Sequence, residues 1–496
     1  MANIFDQLVA TFNPQVALKR ERARTQLDLL RKYDGASKGR RAENWLTAGT
    51  SADAAASAGR SLLRDRSRDL VRNNSYASKA VQVIVSNTIG TGIIGQARAQ
   101  RSRQRSQRLT DTFTNWANDP SQVDYHGQLD FNSIQCLVLR TIVESGEVLI
   151  RRVISPEQKI PLQLLVIEPD FLDTTKDVAI EKGGIVRDGI EYNKKGKRVA
   201  YHIYDEHPGE RHLRAQNINS TRVPADDILH VYRQDRPGMQ RGIPWAAPVM
   251  LRMRDFDDYN DAQLLKQKIS ACFAAFAVDT ESPDMGMGGD LIDKIEPGMI
   301  EILPPGKDLR FANPPTIGEF DKISRQYLLQ IAAGFGITYE ALTGDLHHTS
   351  FSSGRMGWLE FQRNIETWRW HMIIPQFLNP VWKWFVQSAS TSGVRMEGTV
   401  SQWTPPRRDY IDPSKEINAT IDAVRGGMMS LSEAIRENGY DPEEVMLEMQ
   451  QDNKRLDALG LVVDSDPRKI TGAGQNQSEP RKSQKSSDDA EVPNQE

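Results

Sequence analysis

Several groups of side chains in this 496-residue chain could do chemistry, and their spacing decides which chemistry is open to them. A phosphate-cradling loop needs glycines, then Gly-Lys, then Ser or Thr, so that backbone N–H groups, the ammonium and the hydroxyl converge on phosphate and its magnesium. The Gly-Lys pair that could suggest one, Gly306-Lys307, is followed by Asp308, so no ATP hydrolysis is expected. The patterns HExxH and CxxC are absent, which removes the zinc-peptidase and dithiol readings. His202, His207 and His212 recur every five residues among Asp205, Glu206 and Glu210. Five residues fits neither one helix face nor a tight chelate, so a polar hairpin is expected there rather than a metal site. His347-His348 sits in polar loop text and predicts no metal either. Cys136 and Cys272 give neither a disulfide framework nor a structural zinc site, which fits a reducing compartment. No cofactor and no catalytic residue is expected.

Charge is the remaining candidate for function. Lys and Arg total 63 against 66 Asp and Glu, a net charge of −3, so a uniformly basic nucleic-acid coat is excluded. By segment the picture changes. Lys19 to Arg41 carry nine basic and three acidic residues, and Gly/Ala/Ser-rich text follows to Gly59; this reads as a mobile arm. Arg60 to Arg108 hold eleven basic residues against Asp65 and Asp69. That stretch is either the solvated face of two helices or a surface for nucleic acid or a partner. Asp255, Asp257, Asp258 and Asp261 concentrate negative charge in one predicted helix, and Glu437 to Asp464 hold eight acidic and two basic residues.

The elements that position these charges predict an α+β, multi-domain chain, since 496 residues exceed one compact core. Cys136 to Ile154 and Leu162 to Ile167 read as strands, with shorter runs at Ala200 to Tyr204 and Ile228 to Tyr232. Trp245 to Val278 reads as one long helix, packed through Val249, Met253, Phe256, Leu264 and Phe276 and acidic on another side. Gly/Pro-rich text over 279–316, with one strand at Met299 to Leu303, predicts a small β-containing insertion. Phe320, Ile323, Tyr327, Ile331 and Phe335 mark a second helix. A polar loop, Gly344 to Arg355, leads into a long helix from Met356 to Val386, whose Trp and Phe residues are expected to be core and whose Pro375 and Pro380 should kink or break it. Helix-start text at Asp412-Pro413 and at Ser430 to Glu433 opens a third helical set, and the tail from Ser465 should be disordered. The start, MANIFDQLVATF, lacks a signal-peptide pattern, and the apolar run Cys272 to Val278 is too short for a membrane helix, so a soluble intracellular chain without a membrane partner is expected.

This layout resembles the lambda-type family of bacteriophage portal proteins from Arg60 to about Leu461. The matching text is RSRDLVRNNSYASKAVQVIVSNTIGTGI (Arg66 to Ile93), RVPADDILHVYRQDRPGMQRGIP (Arg222 to Pro244), YEALTGD with SFSSGR downstream (Tyr339 to Arg355), and WTPPRRDYIDPSKE (Trp403 to Glu416). The family's usual NYSS-x-R is here Ser350-Phe351-Ser352-Ser353-Gly354-Arg355, so that loop's hydrogen bonds do not carry over.

The resemblance implies a homo-oligomeric ring, a dodecamer, at one capsid vertex of the virion, assembled in the host cytoplasm, through which double-stranded DNA is packaged and ejected. It implies an N-terminal arm (1–59), a wing (60–244), a first stem helix (245–278), a clip (279–316), a second stem helix (317–339), a tunnel loop (340–356), an aromatic helix returning to the wing (357–410), a crown (411–464) and a tail (465–496). The tunnel-loop residues facing DNA would be His347, His348, Thr349, Ser350, Ser352, Ser353 and Arg355, the last as a phosphate contact or as a cap and ion pair at the next helix. Asp255, Asp257, Asp258 and Asp261 would line the stem and keep a polyanion from sticking. Met285, Asp290, Lys294, Glu296, Lys307 and Arg310 would dock the terminase large subunit and later head-completion or connector proteins. Basic surfaces would face neighbouring subunits, the major capsid protein or scaffold. The competing readings are a DNA-processing nuclease or its accessory, which needs a compact carboxylate cluster that the spacing does not provide, and another minor capsid or scaffolding component.

Overall fold

The computed structural model describes residues 49–99, 102–180, 183–210, 219–271, 275–279, 307–311, 320–395, 398–407, 410–463 and 468. The chain divides into two units between Ala55 and Ala56, and every element from Arg60 onward belongs to the second.

Two helices, α1 (Arg60–Asn73) and α2 (Ser75–Thr88), are joined by Asn74, whose side-chain oxygen accepts from Ala77 N–H and starts α2. Strand β1 (Ile94–Ala99) and helices α3 (Arg103–Asn118) and α4 (Phe131–Ser145) follow. Next come β2 (Glu147–Val153), β3 (Gln163–Ile167), β4 (Val178–Ile180), β5 (Gly184–Arg187), β6 (Ile190–Tyr192), β7 (Arg198–Tyr204), β8 (Ser220–Pro224) and β9 (Ile228–Tyr232). They form a three-stranded sheet ordered β3-β2-β9 and a five-stranded meander β4 through β8.

The expected strand from Cys136 is instead the second half of α4, and β2 begins only at Glu147. Asp130 caps α4, and Ile134, Val138 and Ile142 bury one face at helical spacing, so periodicity outweighs the β-branched composition. Gly146, at φ 93°, ends the helix in a conformation that favours glycine and turns the chain into β2.

Helix α5 (Met250–Ala271) is shorter than the expected Trp245 to Val278. The chain from Ala275 leaves it for a ribbon of β10 (Ala275–Asp279) and β11 (Lys307–Phe311), antiparallel with Phe276 opposite Arg310 and Asp279 opposite Lys307. A partner strand decides this segment, and no property of 275–279 alone reveals it. The expected strand Met299 to Leu303 lies outside the described residues. Helix α6 (Phe320–Phe335) returns beside α5 and buries Leu328, Ile331, Ala332 and Phe335.

After α7 (Tyr339–Thr343), helix α8 (Phe351–Trp368) runs without a break into a π-helical stretch, Arg369–Leu378, and then α9 (Asn379–Thr391). Neither proline breaks it. Pro375 sits inside the wider π turn, and Pro380 is in the first turn of α9, where a missing N–H costs little. The aromatics are core as expected: Phe377, Trp382 and Phe385 join Phe113, Trp116, Phe131 and Trp403 in one buried cluster, while Trp370 stays exposed. Arg369, itself buried, donates to the carbonyls of Asn87 and Thr88 and so fastens the π stretch to the end of α2.

Strand β12 (Thr399–Thr404) pairs with β1. Helices α10 (Pro413–Arg425), α11 (Leu431–Glu437) and α12 (Pro442–Leu459) close the described chain, and Asp412 and Ser430 cap the first two as their sequence predicts. Among the described residues no helix is long and apolar enough to cross a membrane.

Candidate functional site

The loop between α7 and α8 is shorter than the sequence indicates. Thr338 caps α7, and Gly344 ends it in the left-handed region at φ 74°. Asp345 then accepts from His347 N–H at 3.0 Å and from the Tyr339 hydroxyl at 3.1 Å, and these two bonds hold its carboxyl below the ordinary range. Thr349 lies 3.4 Å from the Glu340 carboxylate. Helix α8 begins at Phe351, with Ser350 and Ser353 bonding each other's backbone in a reciprocal cap.

Of the seven expected loop residues, His347, His348 and Thr349 therefore stand in the loop, Ser350 is the cap, and Ser352, Ser353 and Arg355 are on the helix. The cap explains the shift, because the Ser350 hydroxyl accepts from Ser353 N–H in the first turn of α8 and the Ser353 hydroxyl accepts from Ser350 N–H, so both hydroxyls serve the helix start. Arg355 stands 4.0 Å from Glu416 on α10, while the start of α8 is capped by Ser350 and Ser353 and not by Arg355. The loop and first turns also expose Leu346, Phe351 and Met356, apolar groups that the polar text around them hides.

On α5 the four aspartates part company. Asp255, Asp258 and Asp261 are exposed, with Asp255 3.8 Å from Arg252. Asp257 turns inward and accepts from Asn74 Nδ2 at 2.9 Å, on the same side chain that starts α2. It ties the helix to α1 and α2 and is not part of the acidic outer face. Leu264, expected to pack, is exposed as well. Lys307 and Arg310 are on β11, while Met285, Asp290, Lys294 and Glu296 lie outside the described residues.

The basic stretch from Arg60 is partly absorbed by its own fold. Arg60 pairs with Asp188 at 2.6 Å, Arg64 with Asp170 at 3.0 Å, and Arg68 with Asp170 at 2.7 Å and Glu168 at 3.1 Å. Arg66, Arg72, Lys79, Arg98 and Arg108 stay exposed. Glu168, Asp170 and His207 come close enough to hold a cation, but guanidinium groups already occupy both carboxylates, which opposes a metal there. His202 lies apart, beside Lys176, and His212 is outside the described residues.

Sequence reasoning missed a buried cluster. Glu147, fully buried at the start of β2, accepts from Arg241, from Gly242 N–H at 2.8 Å and from His230 Nε2 at 2.8 Å. Burial alone would raise its carboxyl, but Arg241 and His230 overcome that and hold it well below the carboxylate range. Burial pushes His230 down to about 4, so the ring is neutral and donates to the carboxylate, leaving Nδ1 without a partner. Between the usual His value of 6.5 and about 4 the unfolded chain binds a proton that the folded chain does not, so stability falls as pH falls through that window. His230→Gln, which retains an N–H donor but does not titrate, should remove up to about 3 kcal/mol of that pH-dependent loss, read from urea unfolding at pH 7 and pH 4.5. Equal slopes for the two proteins would contradict it.

Comparison with known proteins adds a second line. The family model described as phage portal protein, lambda family, matches residues 38–369. A probable portal protein of Halomonas phage phiHAP-1 is 26% identical over 422 residues, covering 80% of this chain and 81% of that protein. Portal protein B of Escherichia phage lambda is 20% identical over 452 residues, covering 80% and 84%. Among solved structures, the neck of an empty gene transfer agent particle, computed with C6 symmetry, aligns with a TM-score of 0.47 at 14% identity, over 77% of this chain and 94% of that one.

Proposed function

Because this chain belongs to the lambda family of phage portal proteins, we propose that its copies close into a ring, a dodecamer, at one capsid vertex, and that double-stranded DNA enters and leaves through the ring's centre. The observation that carries this reading is the outer face of α5, where Asp255, Asp258 and Asp261 stand in solvent beside exposed Leu251 and Leu265. A conduit must pass a polyanion without gripping it, because each phosphate neutralised adds salt-dependent affinity. Repeated around a ring, those carboxylates would repel the phosphates, while exposed leucines on the same helix call for protein neighbours.

On this reading residues 60–244 with the aromatic helix form the wing, α5 and α6 the stem, 279–316 the clip, 340–356 the tunnel segment and 411–464 the crown. The clip would receive the terminase large subunit and then head-completion or connector proteins. Capsid and scaffold proteins would meet the outside, where Arg66, Arg72 and Lys79 are exposed. The protein acts here as a channel and docking platform, without chemistry of its own.

Negative-stain images of the purified full chain should show closed rings with a central hole in the absence of nucleotide, metal or DNA. Irregular or purely monomeric particles would count against the ring. ATP turnover abolished by a Lys307 substitution would reverse the non-catalytic reading. Deleting Met285 to Gly289 should spare rings and yet lower terminase docking at least severalfold in a pull-down, since the Gly/Pro-rich text there contributes no apolar pattern to the wing core. Normal docking and packaging by that variant would remove the clip from the motor interface.

A further inference from the structure

The three C-terminal helices bury almost nothing. Helix α10 has no buried residue, α11 has only Ala434 and α12 only Pro442. Large apolar side chains instead stand in solvent, among them Ile417 (44% exposed), Ile421 (41%), Met428 (89%) and Leu447 (49%). Helices of 13 and 18 residues gain most of their stability from packing an apolar face, so this set is incomplete in a single copy.

Position and charge say what covers it. Ile417, Ile421 and Arg425 are four residues apart and form one outward stripe on α10, ending in a guanidinium that has no carboxylate partner among the described residues. On α12, Leu447 is flanked by Glu444 and Glu448, all exposed. That helix carries five acidic and two basic residues, so two copies of it packed together would set carboxylates against carboxylates. The α10 stripe offers exposed apolar surface and a cation at its end. Two different patches on one chain that suit each other make a head-to-tail contact, which closes into a ring if the rotation allows.

We infer that the α10 stripe Ile417/Ile421/Arg425 of one copy packs against the Glu444/Leu447/Glu448 face of α12 in the next copy, and that these helices reach full stability only on assembly. The inference rests on the ring reading above and names the surfaces that close it at the C-terminal end.

The test uses the full chain with Cys136 and Cys272 changed to Ser and a new pair, Ile421→Cys with Leu447→Cys. Mild oxidation by copper phenanthroline and oxygen takes two electrons and two protons from each thiol pair and forms one S–S bond. Non-reducing gels should then show a ladder of covalent multimers, while each single-cysteine control stops at dimers. Hydrogen exchange should show amides of 413–425 and 442–459 protected at least tenfold more in rings than in dilute single chains. Rings by microscopy without a ladder, or with equal protection in both states, would overturn this contact and leave the ring intact. A chain that never forms rings would overturn both.

Discussion

Glu147→Ala should lower the free energy of unfolding by about 3–5 kcal/mol, the cost of leaving a buried cation without its counterion. Arg241 is only 2% exposed and its main partner is the Glu147 carboxylate, so removing that group strands a guanidinium where water cannot replace it. The same carboxylate holds His230 on β9 and the backbone of Gly242, so β2, β9 and the chain leading to α5 lose a common tie. Glu147→Gln, which keeps the shape but not the charge, should fall between the two. Adding Arg241→Leu to Glu147→Ala should recover much of the loss, because the orphaned charge leaves with its partner.

A second route to the same damage is geometric. A Cβ on Gly242 would lie 2.1 Å from the Gly146 carbonyl oxygen, so Gly242→Ala must push apart the crossing that aims Gly242 N–H at Glu147, at about 1–3 kcal/mol. Urea unfolding followed by tryptophan fluorescence reads all four variants. A Glu147→Ala midpoint within the scatter of the parent would show that the cluster contributes no net stability.

Removing Leu346 to Thr349 should leave rings and empty procapsids in place while DNA packaged per particle falls on the order of tenfold, as for a device that works by position. The deletion stops before Ser350 because Ser350 and Ser353 start α8, and losing that cap would confound the result. Ser350→Ala is the matching control. It should cost about 1 kcal/mol of stability and leave packaging near the parental level. If the shortened protein fails to assemble, the loop is part of the subunit interface. If it packages normally, the outer face of α5 is left as the DNA-facing candidate.

Much of the scaffold could be read in advance because its signals are local. Phe320, Ile331 and Phe335 announced α6 by spacing, and Asp412 and Ser430 announced two helix starts by capping chemistry. What could not be read depends on distant partners. Ala275–Asp279 became a strand because Lys307–Phe311 lies beside it, and Asp257 turned inward because Asn74, 183 residues earlier, holds it. The Glu147 cluster joins residues 83 and 94 positions apart. Its one local trace is a carboxylate opening an apolar strand just after Gly146, a place where charge is costly unless something distant neutralises it. The helix start at Phe351 was legible from Ser350 and Ser353, but the run of small hydroxyls there reads equally well as loop.

The π-helical stretch Arg369–Leu378 bears on how this chain can change length. One residue more or less in an α-helix turns everything beyond it by about 100°. The buried set of α8 (Phe361, Ile365, Trp368) and that of α9 (Val381, Trp382, Phe385) meet the same core only because the π turns between them reset the angular phase. A π turn takes in about one residue more than an α turn, so a single-residue deletion within 369–378 that restored α geometry would leave α9 close to its present phase. The same deletion within α8, where no π turn absorbs it, would turn α9 by about 100° and carry Lys383 toward the place of a buried aromatic.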